Sequence, residues 1–144
     1  MKCHIIDLGV IDFSSAYQIQ KQIVPKVLKD GHSRLLICEH NPVFTLGRRG
    51  REEFFLDHPD KILEKKIPVI RIDRGGEVTF HGPGQIIAYP IFNLNDSSKD
   101  LKMFLRKLED VVIDLLKYFG IVANRQKGYT GVWIGPKKVA SLGI

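Results

Sequence analysis

A glycine-rich stretch of twelve residues, RGGEVTFHGPGQ from Arg74 to Gln85, concentrates the side chains that could do chemistry. It sets an arginine, a histidine and a glutamine among four glycines and a proline. Glycine has no β-carbon, so it permits positive φ and lets a ligand approach the main chain closely. Two glycine turns in such a short stretch would bring backbone N–H groups and the side chains of Arg74, Thr79 and His81 to one edge of a sheet.

Two other interpretations of this stretch stay open at the level of sequence. A plain glycine-rich hairpin is the first, although a hairpin by itself needs none of these polar side chains. A phosphate-binding loop is the second, but the stretch lacks the Gly-Lys-Ser/Thr ending and is followed by a strand instead of a helix. For His81 we expect a positioning role and not that of a general base; the simpler alternative is that it caps the turn by bonding a backbone carbonyl.

Apolar runs and periodic spacing predict the elements that must position this stretch. Strands are predicted at 3–8, 34–40, 43–46, 67–72, 85–94, 121–123, 129–134 and 138–144. Helices are predicted from Ser14 to a stop at Gly31, at 59–65 and at 98–119, with Ser14 or Ser15 as the first N-cap. Pro25 is expected either to kink the first helix or to mark a loosened turn. This order predicts an α/β (α+β) fold, a mixed sheet flanked by helices, in one domain that covers residues 1–144.

Composition limits the class of protein and the kind of partner. The 144 residues are 44% hydrophobic and carry a net charge of +6, which favours acidic partners such as nucleic acid, an acidic carrier protein or an acidic substrate domain. Arg48, Arg49 and Arg51 belong to a loop at 47–51 that we expect to be mobile, and which either meets such a partner or is only solvated.

Without a signal sequence or a membrane-length apolar run, we expect a cytoplasmic location. Cys3 and Cys38 lie in apolar runs, so we expect both to be buried and predict no metal site.

Three segments in order carry a resemblance to a known family. RGGEVTFHGPGQ resembles the signature of the octanoyltransferases of lipoate synthesis, the lipoyl(octanoyl) transferase (LipB) family. EHNPVFTLGR, from Glu39 to Arg48, is similar to the upstream strand and loop of that family. TGVWI at 130–134 and KKVASLGI at 137–144 resemble its downstream hairpin.

The resemblance implies both a fold and an activity. The fold is that of the biotin and lipoate protein ligases. The activity is an acyltransferase, which moves an octanoyl group from octanoyl-acyl-carrier protein to a lysine of lipoyl domains through a thioester on an enzyme cysteine, without a cofactor or metal. The acceptors implied are the lipoyl domains of 2-oxoacid dehydrogenases and the glycine cleavage H protein; neither nucleic acid nor a membrane is implied as a partner.

By matching position, Lys138 is the implied catalytic lysine, because an ammonium near a thiol lowers the pKa of that thiol. The residues implied to line the acyl pocket are Arg74, Gly75, Gly76, Glu77, Val78, Thr79, Phe80 and His81, with main-chain contacts from Ser141, Leu142 and Gly143. The implied nucleophile is a cysteine in a Pro-Cys-Gly context after the lysine. We therefore expect it beyond Ile144, and the domain to lack its C-terminal part here.

Alternatives to this enzyme remain open. Cys38 and Cys3 are poor substitutes for the nucleophile, since burial raises the pKa of a thiol and blocks access. A non-catalytic module that binds an acyl group or a lipoyl domain is therefore the second hypothesis. An ATP-dependent lipoate or biotin ligase of the same fold is the third, although no lysine-rich nucleotide segment is evident. A nucleic-acid module comes last, because no interleaving of aromatic and basic residues marks a stacking surface.

Overall fold

The computed structural model describes residues 3–51, 53, 66–94 and 100–144. The chain divides into two compact units, Met1–Asp96 and Ser97–Ile144. The elements of the first unit are β1 (Cys3–Ile11), α1 (Phe13–Asp30), β2 (Ser33–His40), β3 (Val43–Leu46), β4 (Val69–Arg71), β5 (Val78–His81) and β6 (Ile87–Ile91). Those of the second unit are α2 (Leu101–Tyr118), β7 (Val132–Ile134) and β8 (Lys137–Ala140). The helix predicted at 59–65 lies outside the described residues, and the single domain stays a prediction.

A three-stranded mixed sheet in the order β1-β2-β6 holds the core of the first unit. β1 runs parallel to β2, with α1 as the connection between them, and β6 runs antiparallel to β2. Ile23 and Val27 of α1 pack on Leu36 of β2, and all three are buried. The partly buried residues around them are Ile6, Leu8, Ile19, Tyr89 and Ile91.

The ends of α1 correct one prediction and confirm another. Asp12, and neither Ser14 nor Ser15, is the N-cap: its carboxylate accepts from the backbone N–H of Ser15 at 2.9 Å. At the other end Gly31 adopts φ +69° and its N–H bonds to the carbonyl of Val27 at 3.0 Å, as a C-terminal glycine should. Pro25 lies inside the helix on its exposed side, and α1 continues through it.

A second three-stranded sheet, in the order β4-β3-β5, positions the glycine-rich stretch. β3 is the central strand, parallel to β4 and antiparallel to β5. β5 is the run between the two glycine turns, and its register places Thr79 opposite Thr45 and His81 opposite Val43. Polar side chains of the stretch therefore face a partner strand that the sequence predicted as a short apolar piece.

The second unit is a capped helix with a hairpin. Asp100 caps α2 by accepting from the N–H groups of Lys102 and Met103, at 2.9 and 3.0 Å, so the helix begins later than the predicted residue 98. The strand predicted at 121–123 is wrong: only Asn124, one residue later, forms an isolated bridge with Trp133. β7 and β8 pair antiparallel as predicted.

Four of the predicted strands are shorter in the structure, whereas β1 and β2 are longer than predicted. Only part of each run at 67–72, 85–94 and 129–134 is strand, namely β4, β6 and β7. Residues 141–144 of the run at 138–144 are irregular. Gly131, at φ +139°, precedes β7 and explains why that strand does not extend back to Tyr129. Among the described residues, no helix combines the length and the apolar character needed to cross a membrane.

Candidate functional site

Arg74 is the centre of the polar site in the first unit. One terminal nitrogen, Nη2, donates to the carbonyl of Thr45 at 2.9 Å and to the hydroxyls of Thr45 and Thr79 at 2.8 and 2.9 Å. The other, Nη1, donates to the carbonyl of Gly75 at 2.9 Å. Burial lowers the pKa of the Arg74 guanidinium, but an arginine stays protonated even so. A fixed positive charge therefore ties β3 to β5 and to the first glycine turn.

The loop after β3 is bonded to the same turn. The N–H groups of Gly47, Arg48 and Arg49 donate to the carbonyls of Glu77, Arg74 and Gly76, at 2.8, 3.0 and 3.1 Å. The predicted mobile loop is thus held to the glycine-rich stretch by its main chain.

Gly47 is required by the closeness of this contact. A β-carbon at Gly47 would lie 2.6 Å from the carbonyl oxygen of Gly76 and 2.9 Å from Nη1 of Arg74, closer than real contacts allow. Of the glycines in the stretch itself, Gly76 and Gly84 have φ +87° and +83°, the left-handed region that favours glycine.

His81 lies at the end of β5 with a defined neutral form. Its Nδ1 is 2.8 Å from the side-chain oxygen of Gln85, which can only accept, so Nδ1 carries the proton. Nε2 then accepts from the hydroxyl of Thr45 at 3.4 Å. Burial lowers the pKa of His81, with the nearby Arg74 charge acting in the same direction. The suggested backbone carbonyl partner of His81 is wrong, since the partner is the Gln85 side chain.

A second histidine, His40, is fully buried against this group. Its Nδ1 donates to the carbonyl of Ile11 at 2.8 Å, and its Nε2 accepts from the hydroxyl of Tyr89 at 2.8 Å. Burial raises the pKa of the Tyr89 hydroxyl, which therefore stays protonated as a donor. The ring of Phe13 stacks on His81 with centroids 6.2 Å apart and meets His40 edge-on at 5.4 Å.

The two cysteines differ in their surroundings. Cys38 is buried as predicted, with Sγ 3.7 Å from Nε2 of His40, and burial together with Asp7 raises the pKa of its thiol. The prediction for Cys3 is wrong: it is exposed, because it starts β1, an edge strand of its sheet.

A cleft of about 460 Å³ adjoins the glycine-rich stretch. The residues that line it are Arg48, Arg49, Gly50, Arg51 and Glu77. Arg51 forms an exposed ion pair with Glu53 at 3.1 Å. The loop arginines of the sequence prediction therefore border a concave, basic surface.

Lys138 lies in the second unit, on β8. Its ammonium is 5.1 Å from the centroid of the Trp133 ring, the residue opposite it in the hairpin. The segment Ser141–Gly143 follows β8 as irregular chain, with Leu142 half-buried and its neighbours exposed. Lys138 and Ser141–Gly143 thus belong to a different unit from Arg74, Thr79 and His81.

The structure brings Arg74, Thr79 and His81 together as predicted from the glycine turns. Sequence reasoning missed Thr45, which joins the other three, and the buried His40. The signal for Thr45 was available, since it is the one hydroxyl in the apolar run from Val43 to Leu46. Within the described ranges, no cluster of three or more His, Cys, Asp or Glu side chains could hold a metal ion.

Solved structures define the class of fold. Lipoate-protein ligase A bound with ATP superposes with a TM-score of 0.81 at 16% identity, over 96% of this chain and 59% of that chain. The putative lipoate protein ligase Ta0514 of T. acidophilum with bound lipoic acid gives 0.78 at 17% identity, over 96% and 61%. The fold is therefore that of the lipoate protein ligases, as the resemblance implied.

Two relatives found by sequence share more identity with this chain than the solved structures do. An octanoyltransferase of Pelobacter propionicus is 45% identical over 139 residues, 96% of this chain and 63% of the relative. An octanoyltransferase of Caldicellulosiruptor saccharolyticus is 42% identical over 147 aligned residues, all of this chain and 63% of the relative. The chain thus spans somewhat less than two thirds of the length of these relatives. The family model for the lipoyl protein ligase A/B catalytic domain matches residues 12–144, and the chain belongs to that family.

Proposed function

We propose that this chain is part of an octanoyltransferase, which transfers an octanoyl group from octanoyl-acyl-carrier protein to a lysine of a lipoyl domain. The observation that carries the proposal is the 45% identity, over 96% of the chain, to a relative named octanoyltransferase. The acceptors proposed are the lipoyl domains of 2-oxoacid dehydrogenases and the glycine cleavage H protein, in the cytoplasm and without a cofactor.

In this proposal the glycine-rich stretch forms a wall of the acyl pocket. The proposed lining is Arg74, Gly75, Gly76, Glu77, Val78, Thr79, Phe80 and His81, with main-chain contacts from Ser141, Leu142 and Gly143. Gly75 and Gly76 would leave bare backbone against the chain of the acyl group. Burial of each methylene stabilises the complex by about 0.8 kcal/mol, so a narrow slot can both bind an octanoyl chain and measure its length.

Lys138 is the proposed catalytic lysine. Its ammonium would favour the thiolate of the nucleophilic cysteine, which attacks the carbonyl of the donor thioester. The C–S bond of the donor breaks, and the ammonium of Lys138 gives its proton to the departing sulfur, which leaves as the thiol of the carrier. In the second step the amine of the acceptor lysine attacks the new thioester, the C–S bond breaks, and deprotonated Lys138 takes the proton from the amine. The resemblance puts this cysteine after Ile144, and buried Cys38 does not suit the role.

The test is incubation of the full-length protein with octanoyl-acyl-carrier protein and a lipoyl domain, without ATP, followed by mass spectrometry of the enzyme and of the lipoyl domain. We expect octanoylated lipoyl domain, a loss of product with Lys138→Ala, and retained product with Lys137→Ala, the matched control on the neighbouring lysine. Absence of both an acyl-enzyme and a product would refute the proposal.

Two further outcomes would each select another function. Product that forms only with ATP would indicate a ligase. Binding of the octanoyl carrier without turnover would indicate the non-catalytic module, and the burial of Cys38 favours that function.

A further inference from the structure

A buried carboxylate stands at the centre of the second unit. The side chain of Glu109, on α2, is fully buried. Its Oε2 accepts from Arg106 at 2.6 Å and from Nε of Arg125 at 2.8 Å, and its Oε1 accepts from the backbone N–H of Gly131 at 2.8 Å. Burial opposes the charged form, yet these three donors lower the pKa of Glu109 below its ordinary value. Glu109 is therefore an anion that holds a specific point of the backbone before β7.

Gly131, whose backbone N–H is bonded by Glu109, lies directly against Lys138. A β-carbon built on Gly131 would be 2.4 Å from Cε of Lys138 and 2.7 Å from the carbonyl oxygen of Ala140. Gly131 also has φ +139°, which residues other than glycine rarely adopt. The lysine side chain therefore crosses bare backbone whose position depends on the bond to Glu109.

The hairpin gives Lys138 a second constraint. Val132 pairs with Ala140 and Trp133 pairs with Lys138, so Val139 is an extra residue on β8 and the ladder has a bulge. A bulge changes the direction in which neighbouring side chains point. Here it places Lys138 opposite Trp133, with the ammonium over the indole ring.

We propose that Glu109 is a positioning residue for Lys138, which acts through the backbone of Gly131 to hold the lysine side chain against Trp133. Its catalytic consequence rests on the proposed function, in which Lys138 is the catalytic lysine. The placement itself does not depend on that function and can be measured without turnover.

The test compares Glu109→Gln with Asp110→Asn. A carboxylate serves donors at both oxygens, but an amide has one acceptor oxygen; the two arginines will take it, because charged hydrogen bonds are the stronger ones. The amide NH₂ group then faces the N–H of Gly131 and that bond is lost. Asp110 is the matched control, because it also pairs with Arg125 but makes no bond to Gly131.

Two readouts follow Lys138 directly. The first is the labelling rate of Lys138 by an amine-reactive acylating reagent relative to its neighbour Lys137, measured by mass spectrometry; both lysines are exposed, but only the ammonium of Lys138 lies over the Trp133 ring. The second is the emission of Trp133, the only tryptophan of the sequence. We expect Glu109→Gln to raise the labelling ratio several-fold and to shift the emission as Lys138→Met does, with no further shift in the double variant. Asp110→Asn should leave both unchanged.

The proposal is overturned if Glu109→Gln changes neither readout, or if its emission shift adds to that of Lys138→Met, as a merely structural role would predict. If Glu109→Gln does not fold, Glu109→Asp takes its place, because it keeps the charge beside both arginines and shortens the reach to Gly131. An unchanged labelling ratio in that variant also overturns the proposal. Retained octanoyl transfer by Lys138→Ala, by contrast, refutes the catalytic role proposed for Lys138 and leaves the labelling result to decide the positioning role.

Discussion

At the scale of single residues, the hydroxyl of Thr45 connects the groups of the site in the first unit. It accepts from Arg74 at 2.8 Å and donates to His81 at 3.4 Å, and the residue is fully buried. Valine has nearly the same shape as threonine but no hydroxyl. Thr45→Val therefore removes one partner of the Arg74 guanidinium, a donor, and of Nε2 of His81, an acceptor. Such a loss costs about 1–3 kcal/mol.

We therefore expect Thr45→Val to lower the free energy of unfolding by about 1–3 kcal/mol in urea denaturation. Thr79→Val is the control, because it removes one acceptor of Arg74 and leaves the bond to His81 in place. An equal loss in both variants would contradict the connecting role of Thr45.

His81 predicts a dependence of stability on pH. Burial holds its pKa below the ordinary value, so as the pH falls the unfolded chain takes up a proton before the folded protein does. The stability associated with the neutral ring is present above the unfolded pKa of about 6.5 and is lost as the pH falls from there toward the lowered folded pKa.

We expect the free energy of unfolding to decrease between about pH 8 and about pH 5, and to decrease less in His81→Asn. His32→Asn, at an exposed histidine, is the matched control for removal of an imidazole. Parallel curves for the wild type and His81→Asn would contradict the assignment of the effect to His81.

The polar residues of the site were only partly predictable. Arg74, Thr79 and His81 could be selected because they accompany glycine turns. Thr45 stands out as the one hydroxyl of its run, but its partners, like those of His40, depend on β3 and β2 coming next to β5 and β6. Glu109 looked like one more charge on an amphipathic helix, and nothing local distinguishes the buried carboxylate from the exposed ones beside it.

At the scale of elements, the turn after β3 is where main-chain contact is closest. Gly47 has no positive φ, so alanine suits its backbone and only the space is missing. The carbonyl of Gly76 and the guanidinium of Arg74 would have to move to admit a methyl group.

We expect Gly47→Ala to destabilise the protein by about 1–3 kcal/mol and to loosen the glycine-rich stretch, measured by urea unfolding. Arg48→Ala is the control, because it removes an exposed side chain and keeps the N–H that bonds Arg74. An unchanged free energy of unfolding in Gly47→Ala would show that the turn has space for a methyl group.

Element positions were predicted well where the pattern is long and poorly at the ends. The period of α1 and α2 identified both helices, but the caps are Asp12 and Asp100, each one or more residues from the predicted start. An N-cap is selected by which side chain reaches the first free N–H groups, and serine and aspartate compete closely for that place. Strand ends likewise depend on the partner strand and not on the apolar run alone.

At the scale of the whole molecule, the net charge of +6 and the exposed Arg48 and Arg49 predict that association with an acidic carrier protein depends on salt. Between about 0.01 M and about 1 M salt the Debye length falls from about 30 Å to about 3 Å.

We expect the association rate constant with octanoyl-acyl-carrier protein to fall by about tenfold or more over this range, measured by stopped-flow mixing. The double change Arg48→Gln and Arg49→Gln should flatten the dependence. Lys117→Gln with Lys127→Gln removes the same charge elsewhere and should flatten it less. Equal effects would assign the dependence to net charge alone.

The bonds that assemble the polar site in the first unit also have a consequence for the time course of folding. Arg74 reaches back 29 residues to Thr45, Gly84 reaches 45 residues to the carboxylate of Glu39, and Tyr17 reaches 56 residues to Asp73. Contacts between distant parts of a chain form only after the intervening loops have closed. A ribosome must therefore have released the whole stretch through Gly84 before this geometry can be complete, and helix α1 can form well before the groups beside it acquire their native arrangement.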